Sequence, residues 1–110
     1  MATMKRTLTA PECLAYFFKT REKFNAGIVR DYARAARSHY NFMGCRVTFC
    51  RYLLKNLPER IAMTEFLLEH FDSIPDTEPI QRDYLECDHK HLIAYRDKAL
   101  EYMKNPNVYS

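Results

Sequence analysis

Glycine is nearly absent from this chain, and that scarcity most limits how the chain can fold. Only Gly27 and Gly44 occur among 110 residues, whereas proline occurs five times. No stretch alternates apolar and polar residues between the glycine- or asparagine-containing turns that β-hairpins use. The sequence therefore predicts an all-α protein whose helices are joined by short connections.

Apolar periodicity and the chain breakers predict about five helices in a single domain spanning residues 1–110. The helices are expected at about 11–24, 28–41, 45–55, 58–72 and 79–104. Thr9 is the expected N-cap of the first helix, Gly27 ends it, Gly44 ends the second, and Pro58 opens the fourth.

The last predicted helix, 79–104, is the longest, at about 39 Å by helical rise. Residues 1–8 are expected to form a flexible N-terminal arm and residues 105–110 a C-terminal tail. No apolar run approaches the ~18 residues needed to cross a bilayer.

Charge is divided unevenly along the sequence. Residues 1–57 carry eleven Lys and Arg against three Asp and Glu, and residues 58–110 carry six against eleven. The basic half is expected to meet an acidic protein surface, anionic lipid headgroups or nucleic acid. The alternative is that the two halves attract each other within the domain. The predicted partner-binding residues are the arginines of the basic half, Arg30, Arg34, Arg37, Arg46 and Arg51.

Fifteen Phe and Tyr residues are more than a core of this size is expected to hold, which indicates an interface with another chain. Rings and basic residues are interleaved at residues 16–19 and 49–52. Such runs either stack on RNA bases or form a core beside the stems of long basic side chains, and the second reading is favoured.

One pair has the residue types and spacing of metal ligands. Cys87 and His91 lie four apart on the last predicted helix and share a face, so they are a weak zinc candidate that needs further ligands such as His70 or Asp88. The alternative is that both residues lie at the edge of the core. No metal is the favoured prediction.

The remaining chemistry favours a protein without an active site, cofactor or small-molecule substrate. Cys13 or Cys50 with His39 or His70 would make a thiol–imidazole pair, but nothing in the sequence brings them together. The chain also lacks a glycine-rich phosphate loop. The cysteines are expected to be free thiols in a reducing compartment. A small zinc- or thiol-dependent enzyme is the least favoured alternative.

Two short stretches resemble a known family. Residues 24–32, Phe-Asn-Ala-Gly-Ile-Val-Arg-Asp-Tyr, are similar to the segment ending in Gly-Leu-Met-Arg-Asp-Asp in the 14 kDa accessory subunits of the mitochondrial cytochrome bc1 complex. Leu57-Pro58-Glu59 resembles the Leu-Pro-Glu that begins a later helix of that family. The basic helix that follows in the family is replaced here by an apolar and acidic stretch, residues 61–71.

The resemblance implies a non-catalytic accessory subunit that supports the assembly and stability of a respiratory-chain complex. It also implies a peripheral location on the matrix side of the mitochondrial inner membrane. The leading functional hypothesis is therefore an accessory subunit that binds other protein subunits, with anionic lipid as a further partner. The alternative is an RNA-contacting protein of a ribosomal particle, including a mitochondrial one.

Overall fold

A computed structural model describes residues 8–37 and 43–104, with the side chains of residues 43–45 excepted. It contains three α-helices, α1 (Ala10–Arg37), α2 (Met43–His70) and α3 (Pro79–Lys104), and a 3-10 turn (Phe71–Ser73) after α2. The all-α prediction is confirmed for this part of the chain. The predicted arm, apart from Leu8, and the predicted tail lie outside the described residues.

The prediction of about five helices is wrong, and the first reason is at Gly27. Helix α1 runs through Gly27, whose φ is not in the left-handed region. Phe17 and Ile28 are both buried on the same helix. Burying one large apolar side chain contributes about 1.5–3 kcal/mol, which exceeds the cost of about 1 kcal/mol for an interior glycine.

The second reason is at Pro58, which lies inside α2 instead of opening a helix. The proline ring is exposed, while Leu57 and Ile61 on either side of it are buried. Proline removes one helical hydrogen bond at a cost of about 3 kcal/mol, and the burial of its neighbours offsets that cost.

The predicted boundary at Gly44 falls next to an undescribed segment. Residues 38–42, which include the predicted end of the second helix, lie outside the described residues. Helix α2 begins at Met43, so Gly44 lies within its first turn and does not end a helix.

Two helix starts agree with the sequence prediction. Thr9 caps α1 in a reciprocal pair, because its Oγ1 accepts from the Glu12 N–H at 3.3 Å and Glu12 Oε1 accepts from the Thr9 N–H at 2.9 Å. Helix α3 has the predicted bounds, 79–104, and the Gln81 side chain accepts from the Glu78 N–H at 2.8 Å. In the preceding loop Asp76 has a φ of 60°.

The helices run antiparallel in chain order, and α2 packs against both α1 and α3. One core cluster lies where α1 begins, α2 ends and α3 begins; it comprises Cys13, Leu14, Phe17, Leu67, Phe71, Ile74 and Leu85. A second cluster extends toward the opposite end of the bundle; it comprises Ile28, Ala35, Cys50, Leu53, Leu57, Ile61, Leu92, Ala99 and Tyr102. None of the helices among the described residues is long and apolar enough to span a membrane.

Candidate interaction surface

Charge in the folded chain is separated between the two ends of the bundle. We define the acidic end as residues 8–20 and 62–86, and the basic end as residues 28–37, 46–54 and 95–104. The acidic end carries eight Asp and Glu against two Lys and Arg, whereas the basic end carries eight Lys and Arg against three Asp and Glu. The uneven charge along the sequence therefore becomes a polarity along the helix axes.

Three contacts show why these segments meet. The antiparallel pairing of α1 and α2 brings Arg34 to 5.8 Å from the Phe49 ring and lets Arg46 donate to the Ala36 carbonyl oxygen at 3.1 Å. The Arg46 guanidinium also lies 4.1 Å from the ring of Tyr102 on α3. The last turns of α1 and α3 and the first turns of α2 thus form one end.

The three carboxylates of the basic end each pair with one cation. The pairs are Arg30–Asp31 at 3.4 Å, Arg96–Asp97 at 3.2 Å and Lys98–Glu101 at 3.0 Å. Arg37, Arg51 and Lys104 are exposed and form no ion pair with the described residues. The basic end therefore presents positive charge that the described part of the chain does not neutralise.

Four of the five predicted partner-binding arginines, Arg30, Arg34, Arg37 and Arg51, are exposed at the basic end. The prediction that Arg46 binds a partner is corrected by the structure, because only 1% of Arg46 is exposed. Its guanidinium binds the last turns of α1 and stacks on a ring of α3, where a cation also complements the carbonyl end of a helix. Arg46 is thus part of the fold and is not accessible to a partner that docks on the folded chain.

Sequence reasoning missed a second buried arginine, Arg60, which is 4% exposed. Its Nη2 donates to the Phe17 carbonyl oxygen at 2.9 Å and its Nη1 donates to Thr20 Oγ1 at 2.8 Å. The guanidinium lies 4.2 and 4.7 Å from the rings of Phe17 and Phe24. Burial lowers the pKa of Arg60.

A signal for Arg60 was present in the sequence. The buried positions of central α2 follow the alternating four- and three-residue spacing of one helix face, and they are Leu53, Leu57, Arg60, Thr64 and Leu67. An arginine in the middle of such a face indicates a structural cation.

Helices α1 and α3 are joined by an ion pair between the half-buried Arg21 and the buried Asp88. Asp88 is 4% exposed and accepts from Arg21 Nε and Nη2 at 2.7 and 2.9 Å and from Asn25 Nδ2 at 3.3 Å. The hydrogen bond to Asp88 raises the pKa of Arg21. Beside the pair lies a cavity of about 140 Å³, well below the 300–1,000 Å³ of most ligand pockets.

The structure does bring the predicted Cys87–His91 pair together. Cys87 Sγ lies 3.5 Å from His91 Nδ1, and both residues are exposed on α3. Asp88, suggested as a further ligand, is already bound by Arg21. Within residues 8–37 and 43–104, no three His, Cys, Asp or Glu side chains are grouped so as to hold a metal ion.

The other predicted thiol pairs are not formed among the described residues. Cys13 and Cys50 are buried free thiols, and burial raises the pKa of both, which disfavours the nucleophilic thiolate. The imidazole of His70 lies against the Phe66 ring, with centroids 4.6 Å apart. His39 lies outside the described residues.

Comparisons of the chain with protein-family models, curated proteins and solved structures find no match. The stretches that resemble the bc1 accessory subunits occupy helix interiors here: residues 24–32 lie in the middle of α1. Leu57-Pro58-Glu59 lies inside α2, whereas in that family it begins a helix.

Proposed function

We propose that this chain is a non-catalytic accessory subunit that docks by its basic end onto an anionic surface of a larger protein assembly. The observation that carries the proposal is the group of exposed cations, Arg37, Arg51 and Lys104, that no described carboxylate neutralises. Charge complementarity of this kind steers encounter with a partner and fixes the orientation in which the partner is met.

The surface chemistry of the basic end supports a protein partner. Tyr52 is 51% exposed beside the exposed Arg51, and Tyr and Arg are enriched at protein interfaces and among their energetic hot spots. The burial of the Cys13 and Cys50 thiols, which disfavours their thiolate forms, supports a non-catalytic role.

The specific candidate within this class is a matrix-side accessory subunit of a mitochondrial respiratory complex. It is supported by the sequence resemblance of residues 24–32 to the bc1 accessory subunits. Anionic lipid headgroups are further partners for the same cations, because membrane surfaces attract basic patches by about 1 kcal/mol per Lys or Arg.

The proposal is tested by fractionating a native cell extract that contains the tagged chain. The charge-reversal variant Arg37→Glu/Arg51→Glu/Lys104→Glu is compared with Lys19→Glu/Lys23→Glu/Lys90→Glu, which makes the same change in net charge at exposed positions outside the basic end. The wild type and the control are expected in a high-mass fraction, and the basic-end variant at the mass of the free chain. Release of both variants alike, or a wild type that migrates alone, contradicts the proposal.

RNA is the second candidate partner, and the exposed Arg51–Tyr52 pair favours it. The exposed Tyr52 ring suits stacking on an unpaired base, and the exposed Arg51, next to it in sequence, suits a phosphate. RNA binding by the purified chain is then expected to weaken steeply as salt rises, and Tyr52→Ala is expected to weaken it further. Absence of RNA affinity at low salt removes this candidate.

A further inference from the structure

Helix α3 presents a regularly spaced row of exposed residues along its edge beside α1, where Tyr84 contacts the Phe18 ring and the Arg21 guanidinium. We name this row the α3 outer stripe; it consists of Ile80, Tyr84, Cys87, His91 and Ala94. The spacing of four, three, four and three residues is the one with which a helix packs against another helix. Ile80 and Tyr84 are 48% and 42% exposed, so large apolar groups at one end of the stripe remain in contact with solvent.

The Cys87–His91 pair at the centre of the stripe has the geometry of two zinc ligands. Zinc binds thiolate at about 2.3 Å and imidazole nitrogen at about 2.05 Å, and a tetrahedral angle between the two bonds separates sulfur from nitrogen by about 3.5 Å. Cys87 Sγ and His91 Nδ1 are 3.5 Å apart. This separation is the one expected of two atoms that bind the same Zn²⁺ ion.

The described part of the chain supplies only half of a tetrahedral site. No third ligand joins the pair among residues 8–37 and 43–104, and the neighbouring Asp88 is bound by Arg21. A two-fold dimer doubles every contribution, so two copies of the pair give two thiolates and two imidazoles. Cys2His2 is a standard ligand set of structural zinc.

We propose that two copies of this chain bind one Zn²⁺ through Cys87 and His91 of each copy, with the α3 outer stripes packed against each other. On binding, each thiol loses its proton to solvent, and His91 coordinates through Nδ1 while its proton stays on Nε2. The metal fixes the register of the two helices, and burial of Ile80 and Tyr84 adds apolar contact. This site lies on α3 and is independent of the exposed cations Arg37, Arg51 and Lys104.

The test titrates the purified full-length chain with Co²⁺ alone and with Zn²⁺ alone, in a reductant that does not bind metal. Visible d–d bands report tetrahedral Co²⁺, and sedimentation equilibrium reports mass. We expect one metal per two chains, a doubled mass with metal, and return to the monomer mass on chelation. Metal bound at one ion per chain without dimerisation, or no binding at micromolar metal, overturns the proposal. A dimer that chelator leaves intact overturns it as well.

Single substitutions test whether Cys87 and His91 are the metal ligands. Cys87→Ser and His91→Ala are both exposed substitutions and are expected to weaken Co²⁺ binding at least ten-fold and to abolish the metal-dependent dimer. His89→Ala is the matched control, because His89 is two residues away and contacts Glu65 instead. An unchanged titration in Cys87→Ser, or a loss in His89→Ala as large as in Cys87→Ser, overturns the assignment.

Discussion

The two buried arginines are the residues that most distinguish this bundle from a purely apolar one. Arg46 and Arg60 both lie on α2, and each donates to a backbone carbonyl oxygen of α1 while stacking on aromatic rings. Arg60 forms no salt bridge to a carboxylate among the described residues. Its buried charge carries a desolvation cost, so packing and hydrogen bonds must offset that cost.

Substitutions at Arg60 test whether packing or hydrogen bonding does more to offset the desolvation cost of its buried charge. Arg60→Met keeps most of the volume between Phe17 and Phe24 and removes the buried charge, so we expect the free energy of unfolding to stay within about 1.5 kcal/mol of the wild type. Arg60→Ala leaves a cavity and is expected to lose about 2–4 kcal/mol. Urea unfolding followed by circular dichroism measures both. If the Met variant loses as much as the Ala variant, the hydrogen bonds to Phe17 and Thr20 dominate over packing.

The buried thiols predict a loss of stability in alkali. Burial raises the pKa of Cys13 and Cys50 in the folded chain, so above about pH 8.5 the thiols ionise first in the unfolded chain. The unfolded state then binds fewer protons, and the free energy of unfolding falls by up to about 1.4 kcal/mol per pH unit for each thiol until pH passes the folded-state pKa.

Urea unfolding at pH 7.5 and 9.5 measures this loss. We expect Cys50→Ala to show a smaller loss between the two values than the wild type, and Cys87→Ala, which removes an exposed thiol, to match the wild type. Equal losses in the wild type and Cys50→Ala would show that other groups cause the alkaline destabilisation.

At the scale of elements, Gly27 is an interior glycine that its helix does not require. A Cβ built at this position meets only Arg30 Nη2, at 3.7 Å, which is ordinary van der Waals contact. Gly27→Ala is therefore expected to raise the free energy of unfolding by about 0.5–1 kcal/mol, because it restricts the unfolded chain and favours the helix. A destabilised Gly27→Ala protein in thermal or urea unfolding would contradict this expectation.

Local signals predicted helix ends well where a side chain itself satisfies the backbone. Thr9 at the start of α1, and Pro79 and Lys104 as the bounds of α3, were read correctly because capping and proline chemistry act within one turn. The predicted helix end at Gly27 and the predicted helix start at Pro58 are wrong, because the helices continue through both residues by burying side chains against neighbouring helices.

The sequence predicted which arginines of the basic end are exposed, but not how the three helices bring them together. The exposure of Arg30, Arg34, Arg37 and Arg51 follows from helical periodicity on each helix alone. The burial of Arg46 also follows from periodicity, because Arg46 and Cys50 continue the four- and three-residue spacing of the buried face of α2. Its partners Ala36 and Tyr102, which are ten and fifty-six residues away, do not follow from α2 alone. The separation of charge between the ends likewise required the antiparallel pairing of three helices.

On the scale of the whole molecule, the basic end is the end that we propose docks onto a partner. Positive charge gathers there because the basic parts of α1 and α2 pair with each other and with the last turns of α3. The acidic end, with eight carboxylates against two cations, is expected to face away from an anionic partner.

The most direct measurement is photo-crosslinking from two matched positions on α2. Tyr52 at the basic end and Phe66 at the acidic end are both exposed aromatic residues, and fourteen residues of helix separate them by about 21 Å. With benzoylphenylalanine at one position or the other in the native cell, the account predicts crosslinks to another protein subunit from position 52 and few or none from position 66. Crosslinks that form at position 66 as strongly as, or more strongly than, at position 52 would contradict it.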